Sequence, residues 1–236
     1  KRQGRRPDTV SFVDDVFLDL SRRDFTINAM AIDLETNEFI DPFGGENDLE
    51  KGIIRAVGNP EERLLEDGLR AYRACRFASK FGFEIDENLK QAIQTTPFTQ
   101  PSPERIRDEI TKTLSYDTPS TMFNAMREVG ILDEILPELS RCVGLAQNIH
   151  HTYDVYDHIM KAVDAAPKDN LIVRLAALFH DIGKPDVATP SEKEEYGYNF
   201  YGHHDVSAEI AHSVLTRLRF SNDVRDAVVT LIKHHM

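Results

Sequence analysis

The chain contains only two cysteines, Cys75 and Cys142, far apart and in no motif. That excludes a disulfide framework and a cysteine-type zinc site, and it makes a reducing cytoplasm the expected compartment. Long apolar runs are missing as well. The longest, LIVRLAALF at 171–179, carries Arg174 and is too short to span a bilayer. No apolar stretch follows the basic opening KRQGRRPDTV, so no secretory signal is read there. Positive charge is in deficit: 28 Lys and Arg stand against 40 Asp and Glu, a net charge of -12. A protein that coats nucleic acid through bulk charge is thereby excluded, but a local basic groove is not. Histidine is absent before position 150, and all nine histidines lie at or beyond it.

What is present divides along the same line. Twelve of the eighteen arginines lie at or before position 107, so two chemistries are joined end to end. With 236 residues and 41% apolar composition, the chain can build one large or two to three small domains. Residues 1–57 read as strands. TVSFV alternates at period two, INAMAID and EFIDPF flank ETN as a hairpin would, and GIIRAV is a short β-type run. After Pro60 the helical period takes over. LLEDGLRAYRACRFASKF reads as one long helix stopped by Gly82, SPERIRDEITKTL as a helix with Ser102 at the N-cap and Pro103 at the first position, and TMFNAMREVG as a helix ending at Gly130. From about 152 onward the chain reads helical except for KPDVATPSEKEEYGYNFYG. The expected class is α+β at the start and all-helical thereafter.

The segment EDGLRAYRACRF places Arg70, Arg73 and Arg76 at every third position, with Asp67 one step earlier on the same ridge. Such a row could be an ion-paired helix face. However, Ala71, Ala74, Phe77, Ala78 and Phe81 make much of the remaining surface apolar, and three cations exceed what Glu66 and Asp67 can neutralise. Surplus guanidinium forks match phosphate oxygens. An Asp67–Arg70 pair offers an acceptor beside a donor. Cytosine and adenine present the complementary amino donor and ring-nitrogen acceptor; guanine and uracil do not. An Asp/Arg pair can therefore select C and A with no nucleic-acid template.

RRDFTINA, DPFGGENDLEKGIIRAV, EDGLRAYRACRFA and SPERIRDE occur in an order and spacing that resemble the class II tRNA nucleotidyltransferase and bacterial poly(A) polymerase family, over roughly residues 7–140. The resemblance implies that Arg23 contacts the incoming nucleotide, that Asp67 and Arg70 form the amino-acid template, and that Arg73 and Arg76 hold its phosphate. Glu104, Arg105 and Glu109 match the family's ERI-x-x-E helix, which supports the neck. Family members begin with a glycine-rich turn and an Asp-x-Asp pair that binds Mg2+ for attack of the RNA 3′ hydroxyl on the α-phosphate. This sequence contains no Asp-x-Asp pair. No catalytic residue for nucleotidyl transfer is therefore expected in it, and a longer natural protein that supplies both motifs is.

In the second half, His158 lies near the start of one apolar helix, and His180–Asp181 ends the next, followed by GKP. Two imidazoles and a carboxylate from adjacent helices can converge on a divalent cation, either a transition metal or, less well, Mg2+. Residues 146–236 resemble the HD superfamily of metal-dependent phosphohydrolases. His158, His180 and Asp181 match its core and His203 its further histidine, with His151 and His235 as additional candidates. The superfamily's distal aspartate is not matched, Asp226 being the nearest acid. Lys184 is read as a surface lysine, and His204, His212 and His234 as surface or packing residues.

The resemblances together imply the remnant of a nucleotidyltransferase β-sheet head at 1–57, a helical neck and body binding nucleotide and RNA at 58–145, and an all-α HD domain at 146–236. The implied activity is addition of C and A to tRNA 3′ ends, with tRNA, CTP and ATP as partners and no membrane. The HD module would add phosphatase or 2′,3′-cyclic phosphodiesterase activity. The alternatives are an HD phosphohydrolase with a nucleotide- or RNA-docking front half, a bacterial poly(A) polymerase, and a helical RNA-binding module with both sites vestigial.

Overall fold

The computed structural model describes residues 15–147, 153–191 and 197–236. The TVSFV run and His151 lie outside these residues. The front segment is less sheet-like than its sequence suggests. Helix α1 (Val16–Ser21) starts where the Asp15 carboxylate accepts from the Phe17 amide at 2.9 Å. The INAM stretch does not extend. Asp24 accepts from the Phe25 amide and from Asn28 Nδ2 at 2.9 and 3.0 Å, and Thr26–Asn28 closes into a 3-10 turn. The expected hairpin does form, but only as β1 (Ala31–Ile32) antiparallel to β2 (Phe39–Ile40). Helix α2 (Gly45–Lys51) leads to β3 (Ile53–Ile54), which pairs in parallel with β4 (Glu84–Ile85).

The long helix expected after Pro60 is two helices, α3 (Pro60–Glu66) and α4 (Leu69–Phe81). Gly68 sits at the break because the chain crosses there. A Cβ on it would lie 2.4 Å from the Thr99 carbonyl oxygen and 2.6 Å from the Phe98 ring. Asp67 is extended (φ -153, ψ 100), and its carboxylate accepts from the Leu69 amide at 3.1 Å, as an N-cap side chain does. Gly82 ends α4 in the left-handed conformation (φ 68), which costs a residue without a Cβ little.

Helix α5 (Glu87–Thr95) packs against α3, α6 (Pro103–Thr113) and α7 (Ser120–Glu128) pack against α4, and the short α8 (Leu132–Ile135) and α9 (Pro137–Ser140) follow. Ser102 and Pro103 occupy the expected cap and first positions of α6, although the Ser102 hydroxyl makes no cap hydrogen bond. The last segment holds α10 (Val155–Ala165), α11 (Leu171–Phe179), α12 (Lys184–Val187), α13 (His203–Arg217) and α14 (Asn222–Lys233). The stretch expected to be loop contains α12 and a small antiparallel pair, β5 (Thr189–Pro190) with β6 (Tyr198–Asn199).

One apolar cluster runs unbroken from Phe25 and Ile54 through Tyr72, Phe123 and Met126 to Phe179, Val228 and Ile232. The neck and the histidine-bearing helices share this core. Polar contacts cross the same junction. Asp164 of α10 accepts from the Ser120 amide and hydroxyl at 2.9 and 2.6 Å, satisfying donors at the start of α7. Arg174, buried in α11, donates from Nε to the Ala166 carbonyl and from Nη1 to the Tyr116 carbonyl, both at 2.9 Å. Both cysteines are buried and unpaired, and burial pushes their thiols up to about 12.

Arg174→Leu removes a charged double donor and strands two carbonyls, so it should lower the unfolding free energy by about 3 kcal/mol in urea denaturation. Lys168→Ala, which breaks only the exposed Lys168–Asp117 pair across the same junction, should leave the urea midpoint nearly unchanged.

Candidate functional site

Two sites emerge, one on each side of that junction. The first is an open cleft of about 590 Å³ between the RRD segment and α4. Its walls carry Arg22, Arg23, Asp24 and Asn28 on one side and Asp67, Arg70, Arg73, Phe77, Lys80 and Phe81 on the other. Arg23, Asp67, Arg70 and Arg73, four of the five residues expected to bind nucleotide, thus meet in one place. Each is held by a specific partner. Arg105 grips Asp67 with both terminal nitrogens, at 3.0 and 2.7 Å. Arg70 donates to Glu66 at 2.7 Å and to the carbonyls of Arg63 and Arg22 at 2.9 and 3.0 Å. Arg73 pairs with Asp24 at 2.6 Å, and Arg23 with Asp19 at 2.7 Å.

Arg76 is elsewhere, which corrects the reading of three arginines on one ridge. Each i+3 step falls about 60° short of a full helical turn, so Arg76 is rotated about 120° from Arg70. The cleft face instead continues through Phe77 and Lys80. Arg76 is buried against Glu109 of α6, donates to the Tyr116 hydroxyl at 2.9 Å, and is not available to phosphate. Asp67 is likewise not on the α4 ridge, because it precedes the break. Arg105, on the helix expected to support the neck, holds the Asp67 carboxylate. Sequence reasoning did not single out Lys80 or Phe81. Their i+3 and i+4 spacing from Phe77 was the available signal.

The second site gathers histidines from four helices. His158 lies in α10, His180 caps the end of α11 and precedes Asp181, His203 opens α13, and His235 follows α14. Gly183 allows the approach of α13: a Cβ there would meet the Ser207 amide nitrogen at 2.6 Å. Three of the imidazoles are fixed by the backbone. The Nδ1 atoms of His180, His203 and His235 lie 2.8, 2.8 and 2.6 Å from the carbonyls of Ala177, Phe200 and Ile232. A carbonyl only accepts, so each Nδ1 carries the hydrogen, and in the neutral ring the Nε2 lone pair points inward.

These lone pairs converge on the buried Asp181. One carboxylate oxygen lies 3.2 Å from His158 Nε2 and 3.1 Å from His180 Nε2. The other lies 3.1 Å from His203 Nε2 and 3.9 Å from His235 Nε2. The Nε2 atoms also face one another, at 3.1 Å for His158 and His180 and 3.3 Å for His203 and His235. Facing lone pairs repel unless a proton or a metal ion lies between them. The donor set therefore fits divalent cations in two groups that share Asp181: His158, His180, Asp181 and Asp181, His203, His235. Burial alone would push the Asp181 carboxyl up. Without a metal, the rings that carry a proton on Nε2 donate to Asp181 instead, and these hydrogen bonds from His158, His180 and His203, with the charge of a protonated His180, outweigh burial and hold the carboxyl far below its usual range.

Three expectations change here. Lys184 is buried, not on the surface. Its Nζ lies 2.8 Å from Asp181 and 2.7 Å from the buried Gln147 Oε1, because the tight turn into α12 folds it back over Asp181. Asp226 is exposed, pairs with Arg225, and is not part of the cluster. His235, with Asp181 and His203, forms the second group of candidate ligands. His204 contacts only Asp205 among the described carboxylates, and His212 and His234 are exposed, as expected. Beside His180 and His235, a hollow of about 400 Å³ is walled by Val173, Ala176, Ala177, Leu231 and Ile232.

Comparison with known proteins agrees with this two-site organisation. The family model described as "Poly A polymerase head domain" matches residues 1–55, "Probable RNA and SrmB- binding site of polymerase A" matches 82–142, and "HD domain" matches 148–236. Over 92% of its length the chain is similar to tRNA nucleotidyltransferases, and its three matched segments are those of a poly(A) polymerase head, an RNA-binding segment and an HD domain. An A-adding tRNA nucleotidyltransferase of Deinococcus radiodurans is 36% identical over 233 residues, which cover 92% of this chain and 52% of that protein. A multifunctional CCA protein of Nitrosomonas europaea is 37% identical over 225 residues, with the same 92% and 52% coverage. The structure of the Bacillus stearothermophilus CCA-adding enzyme in complex with CTP superposes with a TM-score of 0.56 at 27% identity, covering 94% of this chain and 47% of that one. A tRNA nucleotidyltransferase complexed with a primer tRNA and an incoming ATP analog gives 0.54 at 25% identity, covering 96% and 60%. The chain spans about half the length of the curated relatives it matches.

Titration with Mn2+ followed by calorimetry should show two equivalents bound per chain, falling to one in His235→Ala. Protons and metal compete for the same Nε2 atoms, so affinity should drop as pH falls. Burial, together with the charges of His180 and His203, depresses His235 below the ordinary imidazole value. A single equivalent in the wild type, or pH-independent binding, would contradict the shared-carboxylate geometry.

Proposed function

We propose that this chain is the nucleotide-reading and RNA-handling portion of a tRNA nucleotidyltransferase that adds C and A to tRNA 3′ ends. The observation that carries the proposal is the cleft in which Asp67, oriented by Arg105, and Arg70, oriented by Glu66, lie beside Arg23 and Arg73. In this reading Asp67 accepts from the amino group of cytosine or adenine while Arg70 donates to the adjacent ring nitrogen. Guanine and uracil would set a carbonyl against the carboxylate and an N–H against the guanidinium. A preset pair rejects them because its half-buried acceptor and donor would face an acceptor and a donor in turn. Arg73 and Arg23 supply the phosphate and ribose contacts. Transfer itself needs Mg2+ held by carboxylates, which would polarise the α-phosphate and activate the RNA 3′ hydroxyl. This sequence has no Asp-x-Asp pair to hold it.

The functional segments in this reading are 1–57, 58–145 and 146–236, as head, neck and body, and HD domain. The partners are tRNA, CTP and ATP. Among the described residues no helix is long and apolar enough to cross a membrane. The cytoplasm, where tRNA is matured, is the inferred compartment.

The Asp181 cluster supports a second activity of the same protein, metal-dependent hydrolysis of phosphate at RNA ends, including 2′,3′-cyclic phosphates. A divalent transition metal or Mg2+ would lower the pKa of a bound water and polarise the phosphate. The chain would contribute the imidazoles and Asp181 as ligands, Lys184 as the cation that steadies Asp181, and the apolar hollow as a wall that limits water.

In the complete enzyme, Arg70→Ala should reduce selectivity for CTP and ATP over UTP and GTP by at least about tenfold. Arg105→Ala should raise the nucleotide KM and affect selectivity less, because it acts only through Asp67. Unchanged selectivity in Arg70→Ala rejects the template assignment. Separately, His180→Ala should abolish hydrolysis of a 2′,3′-cyclic nucleotide by this chain while nucleotide addition by the complete enzyme persists. Loss of both together would refute independent sites, and robust poly(A) synthesis without C addition would favour a poly(A) polymerase instead.

A further inference from the structure

We propose that Lys80 and Phe81, at the end of the cleft remote from Asp67 and Arg70, form a seat for the 3′-terminal nucleotide of the acceptor RNA. This inference rests on the nucleotidyltransferase reading and extends it from the incoming nucleotide to the RNA strand. The α4 face passes from polar to aromatic along its length: Arg70 and Arg73, then Phe77, then Lys80 and Phe81. Among the described residues no carboxylate pairs with Lys80. Its ammonium rests 4.7 Å from the Phe81 ring centroid. The acids of the cleft, Asp24 and Asp67, are at the other end, bound to Arg73 and Arg105. Lys80 therefore stands, with Arg22 at the opposite end, as a cleft cation with no carboxylate partner among the described residues.

Phe81 is 40% exposed, unusual for a ring that belongs to an aromatic row. It lies parallel to Phe77 with centroids 5.6 Å apart and contacts Phe83 at 5.4 Å. An exposed aromatic beside an unpaired lysine is how proteins hold single-stranded nucleic acid: every base has a face to stack, and the cation takes the neighbouring phosphate. The resting lysine covers a ring face. Binding would exchange that cation–π contact for base stacking and move the ammonium onto the backbone. Lys80 stands about 10 Å along the helix from Arg73, two turns away, which leaves room for an adjacent nucleotide. Phe83, which touches Phe81, lies at the start of the segment that matches an RNA-binding family model, residues 82–142.

The test is steady-state addition by the complete enzyme, with tRNA and nucleotide varied separately. Phe81→Leu keeps an apolar side chain, and Lys80→Gln alters only an exposed one. Each should raise the KM for tRNA, Phe81→Leu by about tenfold for the loss of one stacked base, and leave the KM for CTP and ATP unchanged. Lys80→Gln should also reduce the slope of log affinity for tRNA against log salt by about one. A raised KM for CTP or ATP with the tRNA constant unchanged would overturn the proposal and place Lys80 on the triphosphate. Two unchanged constants would also overturn it. Should the wild-type enzyme add no nucleotide at all, the functional reading falls, but the seat is still tested by binding of labelled tRNA. Equal affinity in wild type and both variants then refutes it.

Discussion

The break between α3 and α4 at Asp67 determines the geometry of the cleft. Asp67 leaves the helical region (φ -153, ψ 100), while Gly68 stays in it (φ -58, ψ -18) and lets the Thr99 carbonyl and the Phe98 ring pack against the backbone. The stop frees Asp67 from the helical ridge, sets its carboxylate over the first amides of α4 and leaves it open to Arg105. It also gives Arg70 a carbonyl, Arg63 O, and a carboxylate, Glu66, at the end of α3 as anchors. An unbroken helix would have placed Asp67 and Arg70 one ridge step apart with their side chains parallel. The break instead ties each to a partner of opposite charge, which fixes the direction of both side chains.

The two sites solve opposite electrostatic problems. The cleft concentrates cations in an acidic protein and steadies them with acids placed behind, so the open side remains positive. The histidine cluster concentrates lone pairs around one buried carboxylate and has a single ammonium, Lys184, to offset them. Backbone carbonyls fix the direction of three rings before a metal is bound. Little of the geometry is left for the ion to impose, which lowers the reorganisation that binding demands.

Much of this was legible in the sequence, and what was not has identifiable causes. Gly82 and Pro103 end and begin helices for local reasons, and local reasons can be read from neighbours in the chain. The H…HD spacing placed His158, His180 and Asp181 together because two helices with apolar faces must pack. Gly68 looked like a tolerated helix glycine, since its cause lies some thirty residues onward at Phe98 and Thr99. The burial of Lys184 depends on Gln147 and the turn into α12, neither of which has a pattern. The drift of Arg76 off the cleft face could have been found by angular arithmetic alone. The short strands of the first segment reflect the capture of Asn28 and the Phe25 amide by Asp24, a contest between side chain and ladder that propensity does not resolve.

Asp164 serves two masters. It belongs by sequence to the histidine-bearing segment, yet it completes the first turn of α7, in the segment before it. Arg174 binds the Tyr116 carbonyl across the same seam, and the apolar cluster does not thin out there. A protein cut between 145 and 146 would yield two pieces with raw greasy faces, one of them missing a helix start. The boundary between the segments that match the RNA-binding and HD family models is thus packed through on both its apolar and polar sides, and a load applied to one segment is passed directly to the other.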